Sequence, residues 1–200
     1  MTAHLIGLTL GTSFAAGLNL YATIATLGLL QRFHVVSLPP SLAVLGHPLV
    51  IGAALLFYVI EFFADKIPYV DTVWDLIHTV IRPPAAAILA YATVAGVPAP
   101  VRVVAALVAG SVALTSHGTK ATARAAVNTT PEPISNWVVS AGEDALAVFV
   151  VWLAARHPVA AIAIVGVLIA LSIALLVWLL RILKRVFGGS VPREERAAGG

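Results

Sequence analysis

The run from Val159 to Leu180 carries no charged side chain. A bilayer core about 30 Å thick is crossed by about 20 apolar residues of helix. This segment therefore reads as a transmembrane helix, and that reading constrains the rest of the chain. Five further apolar stretches follow the same logic: Leu5 to Leu30, Ser41 to Ile60, Pro83 to Val97, Val103 to Ser116 and Ile134 to Ala155. The third and fourth are short, and the fifth is interrupted by Glu143 and Asp144. Helix is the expected form of each, because an open sheet would leave backbone groups unpaired in lipid. The strand alternation of an outer-membrane barrel is absent.

Composition agrees. Of 200 residues, 60% are hydrophobic and 10% charged, against roughly 25% charged in an ordinary soluble domain. Mean hydropathy is +0.99. A soluble domain of this size leaves much of its surface in water and could not hide so much apolar area. A soluble enzyme, a disordered chain and a nucleic-acid-binding domain are excluded. There are no cysteines, so disulfides, thiolate metal sites and cysteine nucleophiles are excluded too. Met1-Thr2-Ala3-His4 lacks the positive start of a cleaved leader, so the first apolar segment is expected to be retained.

The expected fold is an all-α integral membrane domain over residues 1–187, with six transmembrane helices and a flexible cytoplasmic tail over 188–200. Six spans put both termini on one side. Lys66, Arg82, Lys120, Arg124, Arg181, Lys184, Arg185, Arg193 and Arg196 then share that side, and Arg32, Arg102 and Arg156 take the other. The excess of Lys and Arg predicts cytoplasmic termini. The run Arg181, Lys184 and Arg185 suits anionic headgroups.

Two connections have a pattern of their own. Asp71, Asp75, His78 and Arg82 recur at spacings of 4, 3 and 4, so they share one helix face. Val73, Leu76, Ile77 and Val80 take the opposite face. His117, Lys120, Arg124 and Asn128 likewise share a face. Both segments are expected as short amphipathic helices that lie in the interface or re-enter the membrane. Ala16-Gly17-Leu18-Asn19 and Ala141-Gly142-Glu143-Asp144 form a weak internal echo, as in a structural repeat. Gly7 and Gly11 have the GxxxG spacing of close helix contacts.

Glu143 and Asp144 are the most informative polar residues, because a charge in the bilayer centre costs at least about 2.5–3.5 kcal/mol on insertion scales and is usually paired, hydrated or functional. With Asn19, Glu61 and Asp65 they form the expected substrate- or ion-binding set. The alternative for Glu143 and Asp144 is a structural tie to a base on another helix. Asp71, Asp75, His78, Arg82, His117, Lys120 and Arg124 are expected at the cytoplasmic mouth. Asp71, Asp75 and His78 could ligate a divalent cation, and the competing reading is a face balanced by Arg82, Lys120 and Arg124. Lys120 and Arg124 with His117 could instead hold a phosphate, or anchor the protein at the cytoplasmic surface. No nucleophile elbow, HExxH motif or glycine-rich phosphate loop is present.

Glu61-Phe62-Phe63-Ala64-Asp65-Lys66-Ile67-Pro68 through Asp71, Trp74-Asp75, His78 and Arg82-Pro83 resembles a bacterial membrane family catalogued as domain of unknown function 4126. Gly17-Leu18-Asn19-Leu20-Tyr21, Pro133-Ile134-Ser135-Asn136 and Glu143-Asp144 belong to the same likeness. The resemblance covers about residues 10–180. It implies a polytopic inner-membrane protein and carries no activity with it.

The residues point first to a small transporter or channel for a cation or a proton-coupled solute, its partners being the bilayer and a small ion or solute. A homodimer would supply bulk that a chain this short lacks. The second reading is a membrane-embedded, metal-dependent enzyme on a lipid or prenyl phosphate. The third is a non-catalytic assembly partner, which predicts no solvated cavity.

Overall fold

The computed structural model describes residues 2–67, 69–127 and 133–187. The regular elements among them are all helices: α1 (Ala3–Leu18), α2 (Leu20–Arg32), a short 3-10 helix (Pro40–Gly46), α3 (Pro48–Ala64), α4 (Val70–Thr93), α5 (Ala99–Val127), α6 (Pro133–Arg156) and α7 (Pro158–Phe187). Asn128 and the tail from Gly188 to Gly200 lie outside the described residues, as do the side chains of residues 133–136.

Six spans are not what forms. Three of the described helices are long and apolar enough to cross a membrane, namely Ala99–Arg124, Trp137–Arg156 and Pro158–Leu179. The 3-10 helix and α3 would count as a fourth if taken together, with a bend of 65° between them. The expected first span fails because Asn19 breaks it. Its backbone is extended (φ −149°, ψ 105°), and its Oδ1 accepts from Ala22 N at 2.8 Å, which caps α2.

The break turns the chain back. Gly7 lies against Pro158 and Gly11 against Ala154, so α1 runs down α6 from the α6–α7 turn. Asn19 then meets Asp144. Beyond α2, the Val35 carbonyl accepts from Arg156 at 2.9 Å, back at the end where α1 began. The pair α1–α2 is therefore a hairpin with Asn19 at its tip, inside the helical body. The 71–82 and 117–128 segments are expected in the interface or re-entering the membrane; the chain reversal inside the helical body is at Asn19. A Cβ at Gly7 or Gly11 would run into the Pro158 carbonyl or the Ala154 methyl, which is why this spacing permits the contact.

The segments expected as two short helices are parts of long ones. Residues 71–82 open α4, which continues through Pro83 and Pro84 to Thr93. Residues 117–127 close α5. In α4 the polar face points inward: Asp71, Asp75, His78 and Arg82 are buried, while Leu76 and Val80 are 71% and 74% exposed. A soluble amphipathic helix does the reverse. Apolar side chains facing outward and charges facing inward suit a surround of lipid.

This also corrects the charge count. Lys66, Arg82, Lys120 and Arg124 are buried among the helices and are not loop charges. The hairpin further starts α1 beside Pro158, whereas α7 carries the chain away from that point. The two ends of the described chain thus lie at opposite ends of the bundle.

Candidate functional site

A helix ends with unpartnered carbonyls and a partial negative charge. Because α1 ends inside the body, other helices must answer them. Arg82 Nη1 donates to Gly17 O at 2.9 Å, and Lys120 Nζ donates to Leu18 O at 3.2 Å. Ser116 Oγ donates to Phe14 O at 2.9 Å. Gly17 allows this approach, since a Cβ there would strike Ser116 Oγ and the Ala113 carbonyl. The hairpin tip thus draws two cations from α4 and α5 into the interior.

Those cations hold the carboxylates of α3. Arg82 Nη2 donates to Glu61 Oε1 at 2.6 Å. Lys120 Nζ lies 2.7 Å from Asp65 Oδ2 and 3.4 Å from Glu61 Oε1. Asp75 Oδ1 stands 3.8 Å from Arg82 and 4.0 Å from Lys120. Arg124 Nη2 bridges Asp65 Oδ2 at 3.0 Å and Glu143 Oε2 at 2.6 Å, and its Nη1 donates to the Asp65 carbonyl. Burial alone would push the Asp65 carboxyl up, but Lys120 and Arg124 outweigh it and hold it below the usual range.

Two histidines complete the network, and His117 does so as a neutral link. Arg82 Nη1 donates to His117 Nδ1 at 2.6 Å, so that nitrogen is an acceptor and Nε2 carries the proton. His117 Nε2 then donates to Asp75 O at 3.0 Å and Thr79 Oγ1 at 2.8 Å. His78 bonds Trp74 O and the Tyr21 hydroxyl, at 2.8 and 3.1 Å.

Glu143 and Asp144 part company. Adjacent helical residues point about 100° apart, so Glu143 reaches Arg124 and Asp144 faces the hairpin. Asp144 Oδ1 accepts from Asn19 Nδ2 at 2.8 Å. Asp144 makes no ion pair among the described residues, and its buried Oδ2 has no hydrogen-bond partner among them. The residue lines an open groove of about 720 Å³ between α2, α3 and α6. Tyr58 and Phe62 form one aromatic wall, and Phe149 and Trp152 the other.

The expected site residues therefore gather, but in two groups. Glu61, Asp65, Asp75, Arg82, His117, Lys120, Arg124 and Glu143 form the ion-pair network, whose members were expected at two separate levels. Asn19 and Asp144 form the second group, where the two echoed motifs meet. The echo stops there, since α6 passes Asp144 unbroken while the chain reverses at Asn19. Asp71 is buried and its Oδ1 accepts from Thr72 N at 2.6 Å. Among the described residues no group of three or more His, Asp or Glu side chains is placed to hold a metal ion. Asp75 faces cations, and His78 has both nitrogens in hydrogen bonds within the protein.

Sequence reasoning missed the groove's aromatic residues and Lys66, whose ammonium lies 3.0 Å over the Phe62 ring. It also bonds Phe62 O at 2.9 Å and Ser140 Oγ at 3.3 Å. Ser140, one turn before Asp144, carried the available signal.

A family model described as Domain of unknown function (DUF4126) matches residues 6–178. No curated protein matches the chain. No solved structure matches it either.

Proposed function

We propose that this chain, which belongs to the DUF4126 family, is a small membrane carrier in which Asp144 binds a proton and a cationic solute in turn. One observation carries the reading: a buried carboxyl with no ion pair among the described residues opens on a groove, beside a network in which Glu143, Asp65 and Glu61 are each held by a base. A paired carboxylate must break its pair to accept a guest, and Asp144 need not. Ionisable residues inside a membrane mark ion and proton pathways.

The geometry supplies a link to movement. Asn19 Nδ2 donates to Asp144 and Asn19 Oδ1 caps α2, so one side chain ties the hairpin tip to α6. A cation or proton arriving at Asp144 competes for the oxygen that Asn19 uses, and loosens that tie. The ion-pair network holds the opposite side of the tip.

The competing enzyme reading needs Lys120 and Arg124 for a phosphate, and both are engaged by carboxylates. The assembly-partner reading predicts no solvated cavity; the groove at Asp144 is lined mostly by apolar side chains, and the flux test separates the two readings. For orientation, we place the end carrying Arg181, Lys184 and Arg185 in the cytoplasm of a bacterial inner membrane, and the N-terminus on the far side.

The test uses proteoliposomes with an imposed pH gradient and a trapped pH dye, challenged with Na⁺, K⁺, Ca²⁺ or tetraphenylphosphonium. Proton movement evoked by at least one cation is expected, and Asp144→Asn abolishes it. Responses no greater than in protein-free vesicles, or equal in Asp144→Asn, would overturn the reading.

A further inference from the structure

The carrier reading leaves the solute's class open, and the groove narrows it. A carboxylate that selects an inorganic cation does so with several oxygens around one point. Here one carboxyl stands at the base of a long apolar surface. Tyr58 and Thr26 are the hydroxyl-bearing residues of the lining, while Phe62, Phe149, Trp152 and Leu30 supply ring and alkyl surface. Asp144 itself is 5% exposed and presents a buried oxygen with no hydrogen-bond partner among the described residues.

Three features specify an occupant together. The volume, about 720 Å³, is that of a small organic molecule and far exceeds a bare ion. The walls carry two aromatic pairs, Tyr58 with Phe62 and Phe149 with Trp152, each with ring centroids 6.1 Å apart. Aromatic faces attract organic cations, most strongly where water is excluded. The buried carboxyl supplies the single opposite charge. Among the neighbouring charged groups, Glu61 and Asp65 are held by Arg82 and Lys120, and Glu143 by Arg124. Lys66 bonds the neutral Phe62 O and Ser140 and attracts Asp144 at longer range without forming an ion pair with it, so an incoming cation competes with that attraction. Phe149 and Trp152 are exposed on the outer flank of α6, where an apolar body arrives from the lipid.

Resting on the carrier reading, we infer that the groove between α2, α3 and α6 binds an amphipathic organic cation. Its apolar body lies between the aromatic walls and its positive centre lies at Asp144. When Asp144 is protonated, entry of one monovalent cation releases one proton, so charge is conserved.

The probe is tetraphenylphosphonium, which has no proton to lose and no hydrogen bond to make. Binding to the purified protein in uncharged detergent is measured by calorimetry, with proton release followed in weak buffer. Saturable one-to-one binding that weakens toward acidic pH is expected. Asp144→Asn weakens it by about tenfold or more, the worth of one lost charge contact. Trp152→Leu and Phe149→Leu leave the carboxyl in place and weaken binding roughly two- to fivefold each. They carry the test if Asp144→Asn does not fold. Absent saturable binding, or binding indifferent to all three substitutions, would overturn the inference. Asp144-dependent proton flux with Na⁺, K⁺ or Ca²⁺ and no tetraphenylphosphonium binding would sink this inference and leave the carrier standing. Charge-dependent binding without any flux would keep the site and remove the carrier.

Discussion

Glu143 and Asp144 are consecutive on α6, yet their surroundings differ in kind. Glu143 lies 2.6 Å from the Arg124 guanidinium, which also holds Asp65. Asp144 has the amide of Asn19 on one oxygen and a groove beside the other. The first is a member of a lattice of charges in which each carboxylate offsets a cation that no solvent reaches. The second could lose its charge without breaking an ion pair among the described residues. Buried charges are costly when a partner is removed and much less so when the pair is replaced as a whole. The network therefore reads as scaffold and Asp144 as the group free to change state.

That contrast can be broken most severely at Arg124. Arg124→Ala leaves Asp65 and Glu143 short of a counter-charge, and a loss of roughly 3–5 kcal/mol is expected, read as a fall in melting temperature in detergent. A stability unchanged from wild type would show the network to be solvated. Glu143→Gln should cost less, about 1–3 kcal/mol, because Arg124 keeps Asp65 and the amide still accepts a hydrogen bond. Asn19→Ala removes the α2 cap and the tie to Asp144, with about 1 kcal/mol expected from the cap. Its sharper readout is hydrogen exchange, which should rise at the hairpin tip and not along α7. Asp144→Asn should be smallest, within about 0.5 kcal/mol of wild type, since an amide can still accept from Asn19 and no ion pair among the described residues is broken. If Asp144→Asn destabilises as much as Glu143→Gln, the two carboxyls do not have the different roles assigned to them.

The same contrast separates what the sequence disclosed from what it hid. The 4-3-4 spacing of Asp71, Asp75, His78 and Arg82 placed them on one face, and they share it. The direction of that face was not legible. Charges on a membrane helix can turn to headgroups or to the interior, and the choice depends on which partners the neighbouring helices offer. Asn19 stood out as a polar residue beside Gly17, but a break and a reversal look alike in one dimension. The reversal is visible only through Gly7 against Pro158 and Val35 against Arg156.

Composition and the length of uncharged runs determined the helical class and the apolar surround. Both follow from local chemistry: backbone groups in oil must be satisfied within the helix, and apolar side chains need no particular partner. Ion pairs are different, because their energy depends on distance between groups far apart in the chain. Lys120 meets Asp65 across 55 positions, and Asn19 meets Asp144 across 125. Packing of the hairpin against α4, α5 and α6 decided which carboxyls were neutralised and which one was left facing a groove.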